Sequence, residues 1–188
     1  MQPRAEMKVP DSIDRLATAK RILVLGSSGS GKTTFSIKLA RALQLPTIHL
    51  DSHFWLPGWI ATPRQEWRQK VTALCTQPSW VMDGTYESSL DLRIPVSDCI
   101  LLIERSRLGC LYRVCKRKWT IDDQNRPDAP SGQLLDREFL RYVWQYPKIT
   151  HPIVMNSIQI YGPEKPVFHL RGAELSPLLM RLCNSAKK

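Results

Sequence analysis

The sequence predicts a three-layer α/β fold: a parallel sheet of five strands covered by helices on both faces. Three observations carry this. Short apolar runs alternate with segments of helical periodicity, a glycine-rich loop joins the first run to a helical segment, and two later runs end on carboxylates, Asp83 and Glu104. Strands buried on both faces read as continuous apolar runs, and strand-helix alternation implies right-handed crossovers within one parallel sheet.

Residues 1–20 are polar and mixed, interrupted by Pro3 and Pro10, and read as an N-terminal arm with a helical turn or two from Asp11 to Ala19. Residues 21–188 read as one domain, the default at this length. Arg21 to Leu25 is the first buried strand. From Thr34 to Gln44 a helix places Ile37, Ala40 and Leu43 on one stripe, and Pro46 stops it. Thr47 to Leu50 is the second strand. Thr62-Pro-Arg-Gln65 has the form of a capping box with proline at the first helical position, after which Trp67, Val71 and Leu74 recur at helical spacing to about Cys75.

Trp80 to Met82 and Cys99 to Ile103 are the third and fourth strands. Leu108, Leu111, Cys115 and Trp119 form the apolar stripe of a basic helix, followed by a polar, proline-rich loop over residues 122–132. Phe139, Leu140, Val143 and Trp144 mark a helix ended by Pro147, and His151 to Tyr161 another, closed by Gly162. Val167 to Leu170 is the fifth strand, and a last helix runs to about Cys183.

Hydrophobic residues make up 43% of the chain and charged residues 23%, which is ordinary globular composition. The formal charge of +10 calls either for an anionic partner, a nucleoside polyphosphate, nucleic acid or anionic lipid, or for nothing beyond a solubilising surface. No run approaches the roughly 18 apolar residues of a membrane helix, and the first twenty residues lack the apolar block of a secretory signal, so no membrane partner and a cytoplasmic location are expected. Five cysteines without a Cys-x-x-Cys pair read as reduced packing thiols. Oligomeric state is left open.

Gly26-Ser-Ser-Gly-Ser-Gly-Lys-Thr33 matches GxxxxGKT, directly after a predicted strand and before a predicted helix. This is the P-loop of nucleoside triphosphatases. Gly26, Gly29 and Gly31 permit positive φ, so that successive N–H groups turn inward around phosphates at a helix N-terminus. Gly26, Ser27, Ser28, Gly29, Ser30, Gly31, Lys32, Thr33 and Thr34 are therefore the candidate nucleotide cradle, with ATP and Mg2+ as expected cofactors. Lys32 is assigned to the β and γ phosphates and to catalysis, and Thr33 to the metal. Asp51, Asp83 and Glu104, all near strand ends, are expected to converge at the same crevice. Alternation along a strand puts His49, Asp51 and His53 on one face, but nothing nearby completes a metal site. His151 and His169 read as capping or core residues.

The pattern resembles the adenylate-kinase-like P-loop proteins called topology modulation proteins, a branch related to nucleoside monophosphate kinases. The likeness spans about Arg21 to Leu182. It is carried by the loop motif with Leu25 and Thr34, by His49-Leu-Asp-Ser-His-Phe-Trp-Leu-Pro-Gly-Trp59, Trp80-Val-Met-Asp-Gly-Thr-Tyr86 and Arg126-Pro-Asp128, and by Glu138-Phe-Leu-Arg-Tyr-Val-Trp144. It implies a P-loop NTPase αβα fold with two insertions, an acceptor flap over about residues 52–62 and a helical lid over about 107–135. It also implies a phosphotransferase acting on a small-molecule acceptor, with Asp83 organising magnesium-bound water. Arg105, Arg107, Arg113, Lys116, Arg117 and Lys118 crowd into or beside the lid; Arg113, Arg117 and Arg141 are the candidate catalytic cations.

Adenylate kinases carry a phosphate-gripping arginine in the flap, whereas here the flap is acidic and aromatic unless Arg64 or Arg93 serves it. Asp51 resembles the carboxylate of P-loop kinases with alcohol acceptors, where it takes or orients the hydroxyl proton. Trp55 and Trp59 offer stacking faces. The acceptor is thus a nucleoside, a nucleotide or another hydroxyl compound. The second reading is a nucleotide-dependent nucleic-acid-binding protein with a basic lid, although the stacking aromatics do not interleave with the basic run in sequence.

Overall fold

Side-chain alternation within the first strand sets the layers. The computed structural model describes residues 9–120 and 135–185. Among them the strands are β1 (Arg21–Gly26), β2 (Thr47–His49), β3 (Trp55–Leu56), β4 (Ile60–Ala61), β5 (Trp80–Asp83), β6 (Cys99–Glu104) and β7 (Val167–Arg171). Five form a parallel sheet in the order β2-β5-β1-β6-β7, and β3 pairs with β4 as a separate antiparallel hairpin.

The helices are α1 (Val9–Thr18), α2 (Lys32–Leu43), α3 (Leu50–Phe54), α4 (Arg64–Cys75), α5 (Leu90–Arg93), α6 (Arg107–Thr120), α7 (Arg137–Gln145), α8 (Thr150–Tyr161) and α9 (Leu175–Ser185). Ile22 and Val24 of β1 share one apolar cluster with Leu16 of α1, Phe35 and Leu39 of α2 and Leu182 of α9. Leu23 and Leu25 join the opposite cluster with Trp67 and Val71 of α4, Leu90 of α5, and Val154 and Ile158 of α8. Burial on both faces is why these strands carry no polar alternation. The sheet and its strand boundaries follow the sequence expectation to within a residue or two.

Four expectations are corrected. The turn or two at Asp11 to Ala19 is a ten-residue helix whose Leu16 is fully buried, worth about 2 kcal/mol of apolar transfer. The Thr62 capping box does not form. Pro63 is the N-cap of α4 without a side-chain cap, because the Thr62 hydroxyl instead donates to the Phe54 carbonyl at 2.6 Å and ties the hairpin back on itself.

The stripe of α6 is also displaced. Leu108 is 71% exposed, whereas Cys110 and Val114 are buried against Val143 of α7. The helix packs on α7 and on the glycine loop rather than on the sheet, so its buried face is set by those partners. Finally, β2 ends at His49 and α3 begins at Leu50, so His49, Asp51 and His53 do not share a strand face. Arg126 and residues 121–134 of the expected lid lie outside the described residues.

Candidate functional site

Parallel register brings the site together. Asp83 is level with Val24 of β1 on one side and with His49 of β2 on the other. The chain leaves β1 through Gly26, Gly29 and Gly31, whose φ values are 147°, 78° and 100°. These positive angles are open to glycine without steric cost. A Cβ at Gly29 would press on the Cys110 carbonyl oxygen and lie 3.0 Å from Val114 Cγ2, so the loop is seated on α6. Gly29→Ala is therefore expected to raise the Kd for Mg-ATP at least about tenfold, a strain of one to a few kcal/mol. Isothermal titration calorimetry reads this directly, and unchanged affinity would contradict the cradle geometry.

The loop ends at the N-terminus of α2, where Gly31 supplies no side-chain cap and the first turn holds no acidic residue. Such a terminus suits an anion. Lys32 turns back into the loop and donates from Nζ to the Ser27 carbonyl at 2.9 Å. Burial pulls its pKa below the ordinary lysine value, while the carboxylates of Asp51 and Asp83 push it back up. Ser30 is fully buried, and Thr34 is exposed on the outer side of α2.

Asp83 is almost fully buried, and its Oδ2 lies 2.9 Å from His49 Nδ1. A carboxylate only accepts, so Nδ1 carries the proton and His49 fixes the orientation of Asp83. Asp51 accepts a hydrogen bond on Oδ1 from the Tyr86 hydroxyl at 2.7 Å. Burial, then Asp51, pushes the Tyr86 phenol far above its ordinary range, so it remains a donor. Thr85 stitches the loop to β5: Gly26 N–H donates to its Oγ1 at 3.2 Å, and that hydroxyl donates to the Gly26 carbonyl at 2.9 Å. Thr85 and Tyr86 close the motif Trp80-Val-Met-Asp-Gly-Thr-Tyr86, yet nothing in the sequence gave either of them a role.

One arginine of α6 reaches the loop, and a second acts on Lys32 through its charge. Arg113 places Nη1 3.3 Å from where a Gly31 Cβ would be, and Arg117 is close enough to Lys32 to lower its pKa. Arg141 stands exposed on α7. Arg105, which sequence reasoning left among the general basic residues, donates from Nε to the Ser30 carbonyl at 3.3 Å. It also lines a cavity of about 440 Å³ with Glu104, Ser106, Arg171, Gly172 and Ala173.

Glu104 belongs to that cavity and not to the Asp51–Asp83 side; its Oε1 lies 3.0 Å from His169 Nδ1 and 3.9 Å from His151 Nε2. His169 is therefore a surface partner of Glu104 and not a core residue. Arg93, considered as a phosphate grip, is fully buried and donates to the carbonyls of Ser89, Gly84, Thr85 and Tyr86. It cannot reach an acceptor. Among the described residues no group of three or more potential ligands gathers as a metal site, and no helix is long and apolar enough to cross a membrane.

No family model and no curated protein matches the chain. Solved structures do. Shikimate kinase from Acinetobacter baumannii, in complex with shikimate, is 19% identical over 93% of this chain and 98% of its own, with a TM-score of 0.53. Deoxyadenosine kinase from M. mycoides with bound dATP is 12% identical over 89% of this chain and 100% of its own, with a TM-score of 0.54. A gluconokinase from Sinorhizobium meliloti 1021 is 16% identical over 89% of this chain and 91% of its own, with a TM-score of 0.50. At such identities the likeness speaks for the fold: a five-stranded parallel sheet in a P-loop NTPase arrangement.

Proposed function

We propose that this chain is a phosphotransferase that moves the γ-phosphoryl group of Mg-ATP to a hydroxyl of a small acceptor. The observation that carries the reading is Lys32, whose Nζ folds back onto the Ser27 carbonyl of the glycine-rich loop at 2.9 Å and whose charge the Asp51 and Asp83 carboxylates favour. A loop-bound cation in the field of two acids fits a metal-bound triphosphate meeting a protic acceptor. Structural neighbours acting on shikimate, deoxyadenosine and gluconate add support at the level of fold.

The residues divide by role. Amides of Gly26 to Thr33 cradle the phosphates, and Lys32, Arg113 and Arg117 stabilise charge during transfer. Thr33 and Asp83 are the residues that would hold magnesium, which neutralises charge on the β and γ oxygens when bound. The cavity between Arg105 and Gly172 is the place for the base. Asp51, oriented by Tyr86, receives the acceptor proton. The likeness to topology modulation proteins belongs to this proposal and rests on the sequence motifs.

Asp51→Asn tests the assignment. It is expected to keep Mg-ATP affinity within about threefold while lowering kcat by about 10² or more, the usual size of a general-base contribution. Calorimetry and a coupled ADP assay separate the two effects. Transfer at the parental rate would remove Asp51 from the mechanism.

One observation favours the second reading. The Arg107 guanidinium lies 5.5 Å from the Trp144 ring centroid and Lys116 Nζ 6.0 Å from that of Tyr112, so aromatics do interleave with cations on the α6–α7 surface. A nucleic-acid binder of this kind would lose affinity for single-stranded DNA steeply with salt and show no acceptor-stimulated ADP release.

A further inference from the structure

Backbone strain is concentrated at two aromatic residues on the Asp51 side of the sheet. Among the described residues three non-glycines have positive φ: Gln44 at 55°, Trp59 at 60° and Tyr86 at 33°. Gln44 closes α2, where a left-handed residue is ordinary. The other two are aromatic. Trp59 lies in the β3–β4 turn and Tyr86 follows β5, and a bulky side chain in this backbone region carries a steric cost that glycine would avoid.

What the strained residues hold in place accounts for their presence. Trp59 tilts against Trp55, ring centroids 5.3 Å apart. Tyr86 packs on Phe54 at 4.6 Å and on Trp67 at 5.0 Å while its hydroxyl holds Asp51. Strain retained where it fixes a carboxylate beside an aromatic wall is characteristic of a built site.

The charges of this side are equally telling. Between Asp51 and Arg93 the cations are Arg64, Arg68, Lys70 and Arg93. Arg68 grips Asp91 with both nitrogens, at 2.7 and 3.0 Å, and Lys70 pairs with Glu66 at 2.8 Å. Arg93 is spent on backbone carbonyls. Burial first, then Lys70 and His49, hold the His53 pKa below the ordinary histidine value, so the ring stays neutral. Of these four cations in the described residues 51–93, Arg64 is the one not committed to a carboxylate or to backbone carbonyls, exposed at the start of α4. On the acidic side, Asp51 is held in place by the Tyr86 hydroxyl at 2.7 Å.

We propose that the acceptor is an uncharged alcohol with a flat or apolar face, of the nucleoside or glycoside class. It sits on Trp55 and Trp59 with its hydroxyl on Asp51, and phosphorylated or carboxylated counterparts are turned away by the Asp51 carboxylate. This rests on the phosphotransferase reading. In the step, the acceptor oxygen bonds to the γ-phosphorus as the bond from that phosphorus to the β–γ bridging oxygen breaks. ADP leaves with the electron pair, and the hydroxyl proton passes to Asp51.

The test uses the full chain, Mg-ATP and matched acceptor pairs: nucleosides against their 5′-monophosphates, and neutral methyl or phenyl glycosides against the corresponding uronates and 6-phosphates. ADP release gives the rates, and phosphorus NMR identifies the new ester. The uncharged member of an accepted pair is expected to exceed its anionic partner about 100-fold or more in kcat/KM, the usual scale of a like-charge penalty. Trp59→Gly is expected to raise the acceptor KM about tenfold, the loss of one stacking face, with Mg-ATP affinity unchanged as the control for folding. Preference for the anionic member, or loss of turnover in Arg64→Ala with an anionic acceptor, overturns the inference and leaves the phosphotransferase reading intact. An unchanged acceptor KM in Trp59→Gly also overturns it. Phosphorylation of neither class by a chain that binds Mg-ATP overturns both.

Discussion

Lys32→Ala is expected to lower phosphoryl transfer about 10³-fold or more while leaving the fold intact. The size follows from removing a preorganised cation aimed at the charge that develops on the transferring group. Lys32 is well placed for this because its Nζ already lies inside the loop, 2.9 Å from the Ser27 carbonyl, with α2 fixing its backbone.

Stability should move the other way. Folding lowers the pKa of this ammonium by burial, so the native state binds its proton less readily than the unfolded chain. The charged form therefore costs stability at neutral pH, and that cost is relieved as pH rises through the folded pKa toward 10.5. Alanine removes the cost, so a melting temperature equal to or above the parent is expected, the pattern of a residue kept for activity. Steady-state kinetics and thermal melts on the same sample check both halves. Transfer within tenfold of the parent would refute the assignment.

Arg93→Met is expected to be the most destabilising single change, at about 3–5 kcal/mol. The guanidinium is fully buried, and burial draws its pKa down to about 10, which still leaves it charged at neutral pH. Its donors satisfy the carbonyls of Gly84, Thr85, Tyr86 and Ser89. A hydrophobic replacement often rescues a buried ion pair when both partners are changed. Here the partners are backbone carbonyls, which cannot be replaced and would be left buried without donors.

For a domain of this size such a loss corresponds to a fall of roughly 10 °C in melting temperature. The same segment carries Thr85, which binds the glycine loop, and Tyr86, which holds Asp51, so affinity for Mg-ATP and turnover should fall with it. Urea titration with activity measured below the transition gives both. A loss under about 1 kcal/mol would mean the carbonyls find water or other donors.

The Arg93 case also shows where sequence reasoning stops. Its type and position suggested a cation near the flap, but whether it faces ligand or interior depends on how α5 packs under the loop after β5. The displaced stripe of α6 has the same origin, since Leu108 and Cys110 are comparably apolar and only the neighbouring α7 and glycine loop select Cys110 for burial. Thr62 had the local form of a cap, yet a carbonyl eight residues upstream offered its hydroxyl a better partner.

By itself the sequence determined the five strands of the sheet, the longer helices and the glycine-rich loop between β1 and α2, but not the short helices α3 and α5 or the β3–β4 hairpin, because apolar runs, helical periodicity and glycine spacing are properties of neighbouring residues. Tertiary structure alone decided that Tyr86 holds Asp51 across 35 positions, that His49 holds Asp83 across 34, and that Arg105 and not Arg93 stands at the loop. Those pairings depend on strand order and register, which bring distant segments within a hydrogen bond's length, and local spacing carries no record of such distances.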